Sequence, residues 1–187
     1  MKLIVATSPE FFVEENAILD ELFKEGLDGL HIRKPNSEPI YCERLLTLTK
    51  PMWYSRIVVE DHFYLKSEYN LKGIHLNPRN PNMPYGYKGF FSRSCDLYDI
   101  ENWKEQCGYV FLDINPEVLH RAEADNHIDK KVFARGIKSV DDVKLMKRLG
   151  FGGVVLDDIL WNQFDFHESS NYTYLIDFYK KIKKAAE

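Results

Sequence analysis

The sequence predicts one α/β domain over residues 1–187, folded as a compact (β/α)8 TIM barrel in which some connecting helices are short or missing. Short apolar segments alternate with amphipathic ones along the whole chain, and eight repeats fit a closed parallel barrel better than an open sheet. The apolar segments are uninterrupted, as is typical of strands buried on both faces. Because 187 residues is short for such a barrel, some helices cannot be full length.

Eight strands are predicted where short apolar runs lie between polar or turn-forming residues. They cover residues 3–6, 30–33, 56–59, 73–76, 90–92, 109–112, 132–134 and 153–156. A loop rich in Pro and Asn, with Pro78, Pro81 and Pro84, follows the fourth strand. No Gly-x-Gly-x-x-Gly motif follows the first strand, which disfavours a dinucleotide-binding fold.

Helices are predicted between these strands from apolar residues at helical spacing. They cover residues 13–25, 37–48, 63–65 as a single turn, 96–106, 116–124, 139–150 and 172–184. Ser37, Asn115 and Ser139 are the expected N-caps. Gly26 and Gly150 are expected to end the first and sixth of these helices.

Composition excludes several classes of protein. The net charge of −4 argues against a nucleic-acid-binding surface, and no apolar run has the length of a membrane span. The sequence starts directly with an apolar strand and shows no signal-peptide pattern, so we expect a cytoplasmic protein. The three cysteines, Cys42, Cys95 and Cys107, are widely spaced and are expected to be free thiols.

The carboxyl ends of the strands should form one polar face, where the active sites of such barrels lie. The residues expected at this face are Thr7, Ser8, Arg33, Lys34, Glu60, Asp61, Asn77, Ser92, Arg93, Ser94, Asp113, Arg135, Gly136, Asp157 and Asp158. A ring that mixes Arg with carboxylates suits an anionic ligand, with a divalent metal between ligand and protein. The alternative is that these are ordinary solvated loop residues. His31 and His75 lie inside strands and are expected to be packed in the barrel interior.

Several of these segments resemble the thiamine phosphate synthase family and its relative, the thiazole tautomerase subgroup. Residues 31–35 (His-Ile-Arg-Lys-Pro) stand where the family has Gln-x-Arg-x-Lys. Glu60-Asp61 stands for Asn-Asp, and residues 73–78 follow it at the family's spacing for Gly-x-His-x-Gly-Gln. The resemblance spans nearly the whole chain in consistent order.

This resemblance implies an enzyme that joins hydroxymethylpyrimidine diphosphate to thiazole phosphate and releases diphosphate, with Mg²⁺ as cofactor. It implies that Arg33 is a catalytic residue that contacts the diphosphate, and that Ser92 lies near the same group. It implies that Asp61 and Asn80 are metal ligands. Asn80 stands where the family has its second metal-binding Asp, and Glu60 is an alternative to Asn80 as this second ligand. Asp61 could instead cap the following helical turn.

The resemblance also implies that His31, Lys34 and Gly136 bind substrate. His31 takes the place of the family's Gln. Lys34 would replace the lysine that here is Pro35. Gly136 keeps one of two glycines whose backbone N–H groups bind the thiazole phosphate.

The departures from the family leave two functions open and disfavour a third, a tautomerase-like activity on the thiazole. Ser94 stands where the tautomerase subgroup has an acid/base His. Residues 113–117 replace a longer phosphate-binding loop. Asp157 and Asp158 would repel a phosphate. The chain is therefore either a synthase or a family member without turnover that binds a thiamine precursor or regulates a partner. A homodimer is expected by analogy alone.

Overall fold

The eight strands close into a barrel in sequence order, and every neighbouring pair is parallel. The computed structural model describes residues 1–165, 167 and 170–187. The strands are β1 (Lys2–Ala6), β2 (Gly29–Ile32), β3 (Ile57–Val59), β4 (Gly73–Leu76), β5 (Phe90–Cys95), β6 (Val110–Asp113), β7 (Val132–Arg135) and β8 (Gly153–Leu156). The predicted TIM barrel is confirmed.

The connecting helices are uneven in length, as the short chain predicted. They are α1 (Glu15–Lys24), α2 (Pro39–Leu48), α3 (Leu65–Glu68), α4 (Ile100–Gln106), α5 (Pro116–Ala124), α6 (Val140–Leu149), α7 (Asp158–Trp161) and α8 (Thr173–Ala186), with a 3₁₀ helix at Pro51–Arg56. The helices α3 and α7 have four residues each, and residues 77–89 join β4 to β5 without a helix. The 3₁₀ helix and α7 were not predicted.

Four of the five predicted helix ends are confirmed. The side chain of Asn115 accepts from the Val118 N–H at 2.9 Å, and Ser139 forms a capping box. Gly26 and Gly150 both have φ of +93°, the left-handed conformation that glycine adopts without strain. The prediction for Ser37 is wrong, because Glu38 is the N-cap of α2 and the Ser37 hydroxyl donates to the Lys34 carbonyl oxygen.

The described residues form two apolar cores, one between the barrel and its helices and one inside the barrel. The inner core alternates along its strands, since every second residue points inward. It consists of Ile4, Ala6, Tyr109, Phe111, Phe133 and Val155. The three cysteines are free thiols, as predicted. Among the described residues, no helix is both long and apolar enough to span a membrane.

The start of β4 is a close backbone contact that requires glycine. A Cβ at Gly73 would overlap the backbone carbonyl oxygen of Phe90 on β5. We expect Gly73→Ala to lower the free energy of unfolding by about 1–3 kcal/mol or more, measured by urea denaturation. Gly29, which starts β2, is the matched control, because its Cβ would meet other atoms only at 3.6 Å or beyond. Equal stability of the two variants would contradict this prediction.

Candidate active site

A buried hydrogen-bonded chain joins Glu60, His31 and Tyr109 inside the barrel. His31 Nδ1 lies 3.0 Å from Glu60 Oε1, and His31 Nε2 lies 2.7 Å from the Tyr109 hydroxyl oxygen. Burial lowers the pKa of His31, which therefore stays neutral at neutral pH. A neutral ring with a proton on Nδ1 donates to the carboxylate and accepts from the tyrosine, so both nitrogens are satisfied.

His75 lies against His31 and is held by two serine hydroxyls of β5. Its Nδ1 is 2.8 Å from Ser92 Oγ, and its Nε2 is 2.9 Å from Ser94 Oγ. Burial lowers the pKa of His75 to about 3. Ser92 is fully buried and bonded to His75, and its place near a diphosphate stays a prediction. The position of both imidazoles inside the barrel agrees with the prediction that they are interior residues.

Glu60 is an anion enclosed among these groups. Burial alone would raise the pKa of its carboxyl, but His75, His31 and Arg135 outweigh that effect and lower the pKa to about 2. Glu60, His31 and His75 bring ligand atoms within 4.8 Å of one another, close enough for a metal ion. Every imidazole nitrogen is, however, already hydrogen-bonded to a side chain. The arrangement is that of a satisfied polar network.

The tyrosine in this network can be tested directly. We expect Tyr109→Phe to lower the free energy of unfolding by about 1–3 kcal/mol, because it leaves His31 Nε2 buried without a partner. Chemical denaturation measures the change. Tyr41→Phe is the control, since Tyr41 is exposed on α2. If both variants were as stable as the parent, the Tyr109 hydroxyl would not contribute to this network.

Asp61, predicted as a metal ligand, is bound by two neighbouring side chains. Arg79 Nη2 lies 3.0 Å from Asp61 Oδ2, and Arg79 Nε lies 3.3 Å from Oδ1. Asn80 turns its amide nitrogen to the same Oδ1 at 2.8 Å. A hard cation needs oxygen ligands here, but both carboxylate oxygens already accept from N–H donors. The residues present therefore do not fit the Mg²⁺ that the resemblance implies. Asp61 does not cap a helix either, because α3 begins at Leu65.

Arg33 presents a cation that no described residue binds. Its backbone is fixed, because Thr7 Oγ1 accepts from the Arg33 N–H at 2.9 Å and donates to its carbonyl oxygen at 3.1 Å. Within residues 1–165, 167 and 170–187, the guanidinium has no hydrogen bond or salt bridge. The pairing of Ile32 with Val59 places Arg33 next to Glu60 and Asp61 at the same end of the barrel. The prediction that Arg33 contacts a ligand fits this position.

Lys34 has a different role from the one that was predicted. Its side chain is fully buried, and its Nζ lies 2.6 Å from Glu15 Oε1 and 2.7 Å from the Glu10 carbonyl oxygen. The ammonium also lies 4.1 Å from the centre of the Phe11 ring. Because Glu15 belongs to α1, this side chain packs between the barrel and a helix. Lys34 is therefore not available to bind substrate in this arrangement.

The ends of β6, β7 and β8 carry Arg135 and the carboxylates of Asp113, Asp157 and Asp158. Arg135 forms an ion pair with Asp113, with Nη2 2.6 Å from Oδ2, and its Nη1 donates to Ser94 Oγ at 3.3 Å. Burial and neighbouring Asp158 raise the pKa of Asp157, while Arg135 and Arg33 oppose that shift. Asp157 occupies the N-cap position of α7, but its side chain makes no capping hydrogen bond.

Gly136 directly follows Arg135 and is conformationally constrained. Its φ is +90°, and a Cβ there would lie 3.3 Å from the Ile114 carbonyl oxygen. The left-handed conformation and the close backbone both favour glycine at this position. A role of its N–H in phosphate binding stays a prediction.

Two residues that shape the site were not predicted from the sequence. Tyr109 could have been found from its inward position two residues before Phe111, since alternation places both in the barrel interior. Arg79 falls on the glutamate of the family's Gly-Gln-Glu-Asp run, which aligns with residues 77–80. The replacement of that glutamate by an arginine, next to the expected metal ligand Asn80, was the sequence signal for this residue.

Comparison with known proteins shows which family the chain belongs to. No protein-family model and no curated protein matches the chain. A thiamine phosphate pyrophosphorylase from Bacteroides thetaiotaomicron is 47% identical, with a TM-score of 0.93 over 100% of this chain and 98% of that one. A thiamine phosphate pyrophosphorylase from Pyrococcus furiosus, 16% identical, has a TM-score of 0.72 over 100% of this chain and 97% of that one, which shows the shared fold. The tryptophan synthase α subunit of Legionella pneumophila shares the fold as well, at 12% identity and a TM-score of 0.73, over 99% of this chain and 92% of that one.

The full-length match at 47% identity agrees with the motif order along the strands, and the chain belongs to the thiamine phosphate pyrophosphorylase, or thiamine phosphate synthase, family.

Proposed function

We propose that this chain is a cytoplasmic transferase that joins hydroxymethylpyrimidine diphosphate to thiazole phosphate. The observation that carries the proposal is the guanidinium of Arg33, which follows β2 at the end of the barrel that also carries Asp61 and has no hydrogen bond or salt bridge to any described residue. A cation at this end of a parallel barrel is suited to a phosphorylated ligand. The 47% identity to a thiamine phosphate pyrophosphorylase supports the choice of substrates. A homodimer stays a prediction.

The proposed reaction transfers the pyrimidine from diphosphate to the thiazole nitrogen. The bond between the pyrimidine methylene carbon and the diphosphate oxygen breaks, and its electron pair leaves with the diphosphate. The thiazole ring nitrogen then supplies the electron pair of the new C–N bond. Arg33 stabilises the negative charge that develops on the leaving oxygen, where a cation lowers the barrier most. The backbone N–H of Gly136 would bind the thiazole phosphate.

The direct test is a turnover assay with both substrates. The purified protein is incubated with hydroxymethylpyrimidine diphosphate and thiazole phosphate, once with Mg²⁺ and once with EDTA, and thiamine phosphate is quantified by mass spectrometry. We expect product in excess of a heat-inactivated control. Absence of product in both buffers would contradict the proposal.

A second function is favoured by the charges on the opposite side of the site. Arg135 is engaged by Asp113, and Asp157 and Asp158 follow β8, where the resemblance implies the thiazole phosphate site. These carboxylates favour a protein that binds one thiamine precursor without turnover, or that regulates a partner. Isothermal titration calorimetry would then show binding of a single precursor in the absence of product formation. Failure to bind any precursor would exclude this alternative.

A further inference from the structure

We propose that the guanidinium of Arg79 replaces the divalent cation of the family, so that this site binds a diphosphate group without a metal ion. The inference rests on the proposed function only for the choice of diphosphate as the anion. It concerns Asp61, Arg79 and Asn80, at the ends of β3 and β4.

The geometry around Asp61 is that of a carboxylate already bound to a cation. Arg79 contacts both carboxylate oxygens, with Nη2 at 3.0 Å from Oδ2 and 3.3 Å from Oδ1. Arg79 Nη2 also lies 3.9 Å from Glu60 Oε2. Asn80 presents its amide nitrogen to Asp61 and to the Glu60 carbonyl oxygen, at 2.8 and 3.0 Å. A metal ion bound between Asp61 and Asn80 would have to displace the guanidinium and reverse the amide.

The loop that carries Arg79 is held in this conformation by its own backbone. Asn77 and Asn80 form a β-bridge, with N–H to carbonyl distances of 3.3 and 3.0 Å. The Asn77 side chain accepts from the Arg79 N–H at 3.0 Å and donates to the Glu60 carbonyl oxygen at 2.9 Å. Because Asn77 is buried, the loop is anchored on the barrel. Arg79 therefore starts from a fixed backbone beside Asp61.

The charges are consistent with a site that needs no metal. Where the family has Glu and Asp, this chain has Arg79 and Asn80, but Glu60 stands for the family's Asn, so on balance one negative charge is lost and one positive charge is gained. Arg79 neutralises Asp61, and Glu60 lies among His31, His75 and Arg135. Here the positive charge is part of the chain.

Arg79 keeps donors free for a ligand while it binds Asp61. A guanidinium has five N–H groups in a planar fork. The side-chain hydrogen bonds of Arg79 to Asp61 use only Nε and Nη2. Among the described residues nothing binds Nη1, and 34% of the side chain is exposed. Arg33, at the adjacent strand end, is likewise unpaired within the described chain. Two guanidiniums can thus contact the two phosphates of a diphosphate, for which arginine geometry is well suited.

The test is the binding of inorganic pyrophosphate, measured by isothermal titration calorimetry in EDTA and again in excess Mg²⁺. We expect binding in EDTA that is at least as tight as in Mg²⁺. Arg79→Gln should weaken binding in EDTA about tenfold or more, because charge-assisted hydrogen bonds are lost. Arg148→Gln, an equal loss of charge on the exposed surface of α6, should leave binding unchanged.

A double variant tests the replacement in the opposite direction. Arg79→Glu combined with Asn80→Asp restores the acidic residues of the family run. We expect it to lose pyrophosphate binding in EDTA and to regain binding in Mg²⁺. Binding by the parent that requires Mg²⁺, no binding in either buffer, or an Arg79→Gln variant equal to the parent would each overturn the inference. If pyrophosphate binds in EDTA but no thiamine phosphate forms, the inference stands and the proposed function fails.

Discussion

Replacing Lys34 by methionine is expected to lower the free energy of unfolding by about 3–5 kcal/mol near pH 8. The Lys34 ammonium is fully buried and lies 2.6 and 2.8 Å from the two carboxylate oxygens of Glu15. The substitution leaves the Glu15 carboxylate buried without a cation. Removing one member of a buried ion pair destabilises a protein more than replacing both members by apolar residues. Urea denaturation of parent and variant at several pH values measures the effect.

The pH dependence of this loss follows from the titration of Glu15. Burial raises the pKa of Glu15 from its ordinary value of 4.5 to about 7, against the opposing effect of Lys34. Without Lys34 that opposing effect is lost, and the pKa in the folded state rises further. A carboxyl whose pKa is raised by folding stabilises the protein below its ordinary pKa and loses that contribution as the pH rises through the folded value. The Lys34→Met penalty should therefore be smaller at pH 5.5 than at pH 8.5.

The matched control for Lys34 removes both members of the pair. Glu15→Leu combined with Lys34→Met leaves no buried charge, and replacing a buried pair by apolar residues is often close to neutral. We expect the double variant to be more stable than Lys34→Met alone near pH 8. A double variant as unstable as the single one would show that lost packing, and not the unpaired carboxylate, causes the effect.

Arg33→Ala is expected to reduce turnover in the synthase assay by about 100-fold, the effect of removing one fixed donor that stabilises developing charge. The free energy of unfolding should change little, because the described residues make no side-chain bond to this guanidinium. Steady-state kinetics with both substrates, together with urea denaturation, separate the two effects. Arg33→Lys should recover part of the activity, since it restores the charge without the planar fork. Turnover of Arg33→Ala equal to that of the parent would rule out this role.

The barrel could be predicted because its strands carry local signals. Runs such as residues 73–76 and 153–156 are apolar throughout, and their repetition with helical segments leaves few folds to choose from. The caps at Asn115 and Ser139 depend only on their own side chains and on backbone N–H groups three residues later. Ser37 failed for a local reason as well, because Pro39 two residues later fixes the first turn of α2 and places the N-cap at Glu38.

The site was predicted less well because its contacts join distant segments. No residue near Lys34 in the sequence predicts its ion pair with Glu15, because Glu15 lies on α1. The contact between Arg79 and Asp61 depends on the conformation of the loop after β4. The position of Arg33 at the end of the barrel could be predicted because it depends only on where β2 ends.

The two hydrogen bonds between Thr7 and Arg33 fix the backbone of Arg33 and leave its side-chain torsions unconstrained. They hold the backbone of Arg33 to β1, so the guanidinium moves only through its own side-chain torsions. Ligand binding then orders one side chain, at a rotational entropy cost of up to about 2 kcal/mol, and reshapes no loop. We therefore expect the Arg33 guanidinium to reorient towards an arriving anion on the nanosecond timescale of side-chain rotation, without a backbone rearrangement.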